Sequence, residues 1–169
     1  MELAYKKYNN DNLFSNFENV EFTNLSNIQN YIPIYQKFFA LNESNYNSIN
    51  LNNKYYIRNI TSKESDNKYT GEVSDISNEI TIKQMFFKYS PLLDPTKYIT
   101  GKYDASHSDL IKLPRFVDGE SHAKLCDQNN SAYVDSFFSY LTSQLLNENE
   151  FTHGIDFYGS FLGVKHNFI

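Results

Sequence analysis

"SAYVDSFFSYLTSQLLNENE" (Ser131–Glu150) is the stretch on which the fold turns. Val134, Phe137, Phe138, Leu141 and Leu145 fall at i, i+3, i+4, i+7 and i+11, the spacing that lines one face of an α-helix. Asn130 or Ser131 can cap its start, and Asp135 lies near the positive end of the helix. The pattern predicts one main amphipathic helix over 131–147 with those five side chains in the core.

Strand signals flank it. "EITIKQMFFKYS" (79–90) opens with β-branched alternation at Ile80 and Ile82 and runs into Phe86-Phe87. It predicts the strongest strand of the first half, ended by Pro91 and Pro95, which have no N–H to donate to a ladder. "KYYIRNI" (54–60) predicts a short strand, and "KESDNKYTGEVSD" (63–75) an exposed loop or hairpin. In "NIQNYIPIYQKFFALN" (27–42) the apolar positions follow helical spacing with Pro33 in a first turn, predicting a helix over about 33–41. The chain between 91 and 129 predicts a long loop with short turns, in which Asp94 accepts backbone N–H bonds before Pro95. Residues 1–23 show weak periodicity and are read as irregular. The expected organisation is therefore an irregular segment at 1–23 and a single α+β domain at 24–169, with a small antiparallel sheet packed against the 131–147 helix.

Composition narrows the function classes. The 169 residues include 14 Tyr and 14 Phe, enough apolar material for one core, and the net charge is −5. That charge argues against a broad basic surface for duplex nucleic acid or an anionic membrane. The basic run Lys97, Lys102, Lys112 and Arg115, with Tyr98 and Tyr103 between, reads as a solvated loop because acids flank it. The single Cys126 excludes an internal disulfide framework and suits a reducing setting. No leader-like or membrane-spanning apolar run is present in the sequence, so a soluble, cytosolic-type protein is expected. The asparagine bias before residue 60 fits an AT-rich genome.

Chemical motifs are sparse. His107, His122, His153 and His166 have no metal-ligand spacing to one another or to Cys126, and no G-x-S-x-G occurs. "FTHGIDFYGSF" (151–161) holds a histidine, an aspartate and two glycines, and reads as core strand and turn, with Asp156 facing outward. Lys88 sits in an aromatic strand, where it must snorkel, pair with an acid or meet a ligand.

The ordered set "FFKYSPLLDPTKYITGKYD", "NNSAYVDSFFSYLTSQLL" and "FTHGIDFYGSFLGVKHNF" resembles a family of uncharacterised, kinase-like proteins of giant nucleocytoplasmic large DNA viruses. The resemblance spans roughly residues 30–169, and the chain looks like the N-terminal part of that longer family. It implies a kinase-N-lobe-like fold in which Lys88 is the strand lysine that meets ATP phosphates and Tyr133–Leu146 the adjoining helix. In the same reading "HGIDFYGSFLGV" (153–164) is the following strand pair, and Gly71 lies near the end of a glycine-rich loop. Lys88 and Gly71 are thus the implied cofactor-binding residues, with ATP as the implied ligand, and no catalytic or metal-binding residue is assigned.

The chain departs from the family's pattern. One glycine stands where the loop asks for three, Phe86 fills the slot that admits adenine, and the helix offers Asp135 in place of a glutamate. No H-R-D or D-F-G segment occurs, so base and magnesium ligand are missing. The resemblance therefore implies a non-catalytic protein of the host cytoplasm or virion, exposing a surface for a protein partner or for self-association. The alternatives are a virion structural or host-interaction protein unrelated to kinases, or a remnant reading frame.

Overall fold

A computed structural model describes residues 2–104, 106–117 and 119–166. The chain runs β1 (Tyr5–Lys7), α1 (Asp11–Glu18), β2 (Leu25–Gln29), a 3-10 turn at Pro33–Lys37, β3 (Ile49–Leu51), β4 (Tyr55–Lys63), β5 (Lys68–Asp75) and β6 (Ile80–Phe86). Then come α2 (Pro95–Ile99), α3 (Ala123–Cys126), α4 (Ser131–Asn149) and β7 (Leu162–Lys165). Among the described residues the strands form three small antiparallel sheets, β1–β3, β2–β7 and β4–β5–β6. Mixed helix and strand with one main helix is the α+β class expected from the sequence.

The packing differs from the expectation. Two apolar clusters form, and the three-stranded sheet does not rest on α4. Its inner face, Ile57, Ile60, Tyr69, Val73 and Met85, closes against Leu13 and Phe17 of α1. The expected irregular segment at 1–23 is thus corrected: it carries β1 and a helix that covers the sheet. Eight residues are too few for a helical period to stand out, yet Leu13 and Phe17 are four apart and share a face. Asn16, on the same helix, donates to the Ile60 carbonyl at 3.2 Å and accepts from its N–H at 2.7 Å. Those backbone groups sit between two register shifts of the β4–β5 ladder, so one side-chain amide satisfies groups the irregular ladder leaves over.

The other cluster gathers around α4. Tyr133, Phe137 and Tyr140 pack on Ile32, Ile34, Tyr35, Ile49, Leu51 and Leu162. The helix is where the sequence predicts it, and Asn130 does cap it, accepting from Ala132 N–H. Its buried face is rotated from the predicted one: Val134 is 46% exposed and Phe138 62%, while Tyr133, Phe137, Tyr140 and Gln144 are buried. Hydrogen bonding explains the choice between two apolar stripes. The Tyr133 hydroxyl donates to the Leu125 carbonyl at 2.7 Å, the Tyr140 hydroxyl to Asn52 Oδ1, and Gln144 Nε2 to the Asn52 carbonyl at 2.9 Å. A tyrosine face that finds its acceptors buries as well as an aliphatic one.

Further expectations are adjusted. The helix at about 33–41 is a single 3-10 turn, with Pro33 at its start as expected. The loop or hairpin at 63–75 contains β5, the central strand of its sheet. Residues 151–161 form no strand; the chain runs back along α4, with Ser143 Oγ accepting from Phe157 N–H at 3.0 Å and Ser136 Oγ bonding Ser160 Oγ at 2.6 Å. Gly154 permits that approach, since a Cβ there would stand 2.6 Å from the Thr142 carbonyl oxygen. Asp156 is half-buried and accepts from Asn147 Nδ2, not turned out to water. The segment 91–129 carries α2, with Asp94 as its cap, and α3 between irregular stretches. No helix among the described residues is long and apolar enough to cross a membrane.

Candidate functional site

Lys88 lies two residues beyond β6, not inside it. Its Nζ meets Asp135 Oδ2 of α4 at 2.6 Å, with the two side chains 63% and 47% exposed. The structure therefore joins the lysine to the helix acid, but in solvent, where an ion pair is worth less than about 1 kcal/mol. Gly71 is in the middle of β5, opposite Ile60 on one side and Lys83 on the other. It stands in no loop, and the glycine-rich-loop placement is corrected. The missing side chain has a packing cause: a Cβ at Gly71 would fall 2.1 Å from the Asn59 carbonyl oxygen and 2.7 Å from Met85 Cε. Lys88 and Gly71 do not form a phosphate cradle, because one is on an exposed tail and the other inside a ladder.

A different feature emerges at β6. Among the described residues this strand pairs with β5 alone, so its other edge is open. Ile80, Ile82 and Phe86 are 58%, 62% and 66% exposed, while Met85, on the opposite face, is buried. The alternation that predicts a strand is present, but the apolar side is turned outward. Two hydrogen bonds set the phase of the ladder: Asp75 N–H donates to the Glu79 carbonyl at 3.1 Å, and Phe87 N–H to the Asn67 carbonyl at 2.8 Å. In an antiparallel ladder, groups alternate between the two edges. Residues 79, 81, 83, 85 and 87 therefore face β5, and the N–H and C=O groups of Ile80, Ile82, Gln84 and Phe86 face the open edge.

Open edges in folded proteins are commonly guarded by a lysine or an inward charge. Lys83 occupies that position but is folded away from the edge, its Nζ 4.0 Å from the centroid of the Tyr55 ring on β4. The edge is left with four residues whose backbone groups point outward, three of which, Ile80, Ile82 and Phe86, also carry exposed apolar side chains. Alternation alone could not reveal this, because it gives the period and not which face meets the core.

Comparison of the chain with protein-family models, with curated proteins and with solved structures finds no match, so the resemblance to giant-virus kinase-like proteins rests on its residues alone.

Proposed function

We propose that the protein is a non-catalytic association module whose β6 edge pairs with a second copy of the chain. The observation that carries this reading is the coincidence of outward backbone groups and exposed apolar side chains at Ile80, Ile82 and Phe86. The strand is self-complementary. Antiparallel pairing about Lys83 sets Ile80 beside the partner's Phe86, and Ile82 beside the partner's Gln84, with all four outward-facing residues used in hydrogen-bonded pairs. The two central lysines would oppose each other, which is unfavourable. Folding of Lys83 over Tyr55 removes that charge from the seam.

Sedimentation velocity checks the reading. The wild-type chain is expected to sediment as a dimer that dissociates on dilution. Ile82→Lys is expected to weaken association by at least about tenfold, since a charge replaces an apolar contact at the centre of the strand. Because Ile82 is exposed, the monomer's own stability should stay within about 0.5 kcal/mol. A wild type that remains monomeric at high concentration would remove the second copy as the occupant.

A second reading keeps the family resemblance: a kinase-N-lobe-like giant-virus protein of the host cytoplasm or virion that holds a nucleotide without transferring phosphate. The Lys88–Asp135 pair favours it, since a lysine following a strand meets an acid on the main helix. The sheet packed on α1 and the position of Gly71 count against it. Thermal unfolding with and without ATP separates the two. In this second reading ATP raises the melting temperature and Lys88→Ala abolishes the rise, with nucleotide-free stability changed by less than about 1 kcal/mol. Recovery of the chain at high copy from purified particles would instead favour a virion structural role.

A further inference from the structure

β1, β3, the start of β4 and the turn between β5 and β6 line a cavity of about 100 Å³, with Lys6, Asn50, Tyr56, Arg58, Tyr158 and Phe161 among its residues. It holds two buried polar atoms with no hydrogen-bond partner, Asn50 Nδ2 and Tyr56 Oη. Buried polar groups are almost always partnered, and each orphan costs about 1–3 kcal/mol. Both orphans belong to residues that line the same cavity, and the pair needs a cause.

The Asn50 orphan is not an arbitrary choice of amide orientation, because a relay of asparagines fixes it. Asn30 Nδ2 donates to the Asn47 backbone carbonyl at 2.8 Å, a group that can only accept. Asn30 Oδ1 must then accept, and it does so from Asn10 Nδ2 at 2.6 Å. Asn10 Nδ2 also donates to Asn50 Oδ1 at 3.1 Å, which leaves Asn50 Nδ2 as the free end of the relay. Asn10 and Asn30 are 6% and 3% exposed, so water does not scramble these orientations. The asparagines of the N-terminal third, whatever their codon origin, are here a polar core that aims one donor.

Tyr56 supplies the second donor. Burial raises its pKa above the ordinary tyrosine value, with Arg58 opposing the shift, so the hydroxyl keeps its proton. Arg58 is held in place: Nε donates to Ser74 Oγ at 2.6 Å, and the guanidinium lies 4.6 Å from the centroid of the Tyr8 ring. Asp75, the one acid on the wall, has its Oδ1 committed to the N–H groups of Ser77 and Glu79 at 2.8 and 3.0 Å. The wall thus offers two neutral donors and two cations against the single carboxylate of Asp75, with Asn78 Oδ1 already accepting from Arg58 Nη2 at 3.4 Å, and the two orphan donors themselves have no acceptor. Beside it a wider groove of about 520 Å³, sharing Tyr8 and Asn10, leaves room for the body of a larger molecule.

We propose that this cavity binds the oxyanion end, carboxylate or phosphate, of a small ligand through Asn50 Nδ2 and Tyr56 Oη, with Lys6 and Arg58 balancing its charge. The site is independent of pairing at β6. The test is a titration of the full chain with inorganic phosphate, acetate and benzoate, each followed by the Asn50 side-chain amide resonances. Shifts with phosphate alone assign a phosphate site, and shifts with the carboxylates alone assign a carboxylate site. Tyr56→Phe should weaken binding by about tenfold while leaving the melting temperature of the free protein unchanged or raised, since it deletes an unpaired group. Asn50→Asp keeps the acceptor that Asn10 uses but replaces the donor by a negative charge, and should abolish binding with the α1 amide spectrum unchanged. Absence of any shift with all three probes would overturn the proposal and assign the cavity to water, as would a Tyr56→Phe variant that is less stable and binds as before.

Discussion

Alanine at Gly71 is expected to destabilise the protein by at least about 3 kcal/mol, measured as a fall in the urea midpoint with little change in slope. The new methyl would stand 2.1 Å from the Asn59 carbonyl oxygen and 2.7 Å from Met85 Cε. Methionine is flexible and can move aside, but the carbonyl belongs to β4 and can move only with the ladder. β5 is bonded on both sides, so neither neighbour can yield without breaking pairs. Against a total stability of roughly 5–15 kcal/mol, that is a large fraction. The same variant separates two roles for the residue. A glycine serving a phosphate loop would lose ligand affinity on substitution and keep its fold, whereas a glycine demanded by strand packing loses the fold first.

Phe17→Ala should cost about 3–5 kcal/mol in the same measurement, the range for removing a buried aromatic ring. Phe17 is 2% exposed, with edge-to-face contacts to Phe87 and Phe161 at centroid distances of 5.6 Å each. It ties α1 to the chain after β6 and to the segment leading into β7. A neutral result would mean that the first 23 residues are a dispensable tail, as weak periodicity suggests. The expected loss instead places the N-terminal helix among the elements without which the three-stranded sheet has no partner. The shorter side chain would also open the inner face of β4 and β5 to water, so the slope should fall if the sheet partly melts before the rest.

The limits of sequence reading follow from particular residues. Asn130 as one of two candidate caps of α4, Asp94 as an acceptor of backbone N–H bonds before Pro95 and Pro33 in a first turn were legible, because capping and proline geometry are local, although the short helix α2 that Asp94 caps was not. α1 was not, since its two buried residues form one repeat of a period and noise produces as much. At α4 the spacing located the helix but selected Val134 and Phe138 over Tyr133 and Tyr140. Hydropathy ranks the phenol low. The acceptors that make it a good core residue, the Leu125 carbonyl and Asn52, lie in other parts of the chain. Lys88 was legible as a lysine that must snorkel, pair with an acid or meet a ligand, and the structure gives the second of these, with Asp135. The cavity beside Asn50 and Tyr56 had no signal in the sequence, because an orphaned atom exists only once its neighbours are placed.

The sequence by itself therefore determined the α+β class, the position of the main helix, its cap and the presence of a strand at 80–86, for all of these rest on short-range sterics and hydrogen bonding. The tertiary structure alone decided which face of each element is buried. It put α1 rather than α4 under the three-stranded sheet, turned Ile80, Ile82 and Phe86 outward on an open edge, and set Gly71 inside a ladder. The physical reason is that a period of two or of 3.6 residues fixes how side chains recur along an element, whereas the face that meets the core depends on the shape and hydrogen-bonding needs of surfaces distant in the chain.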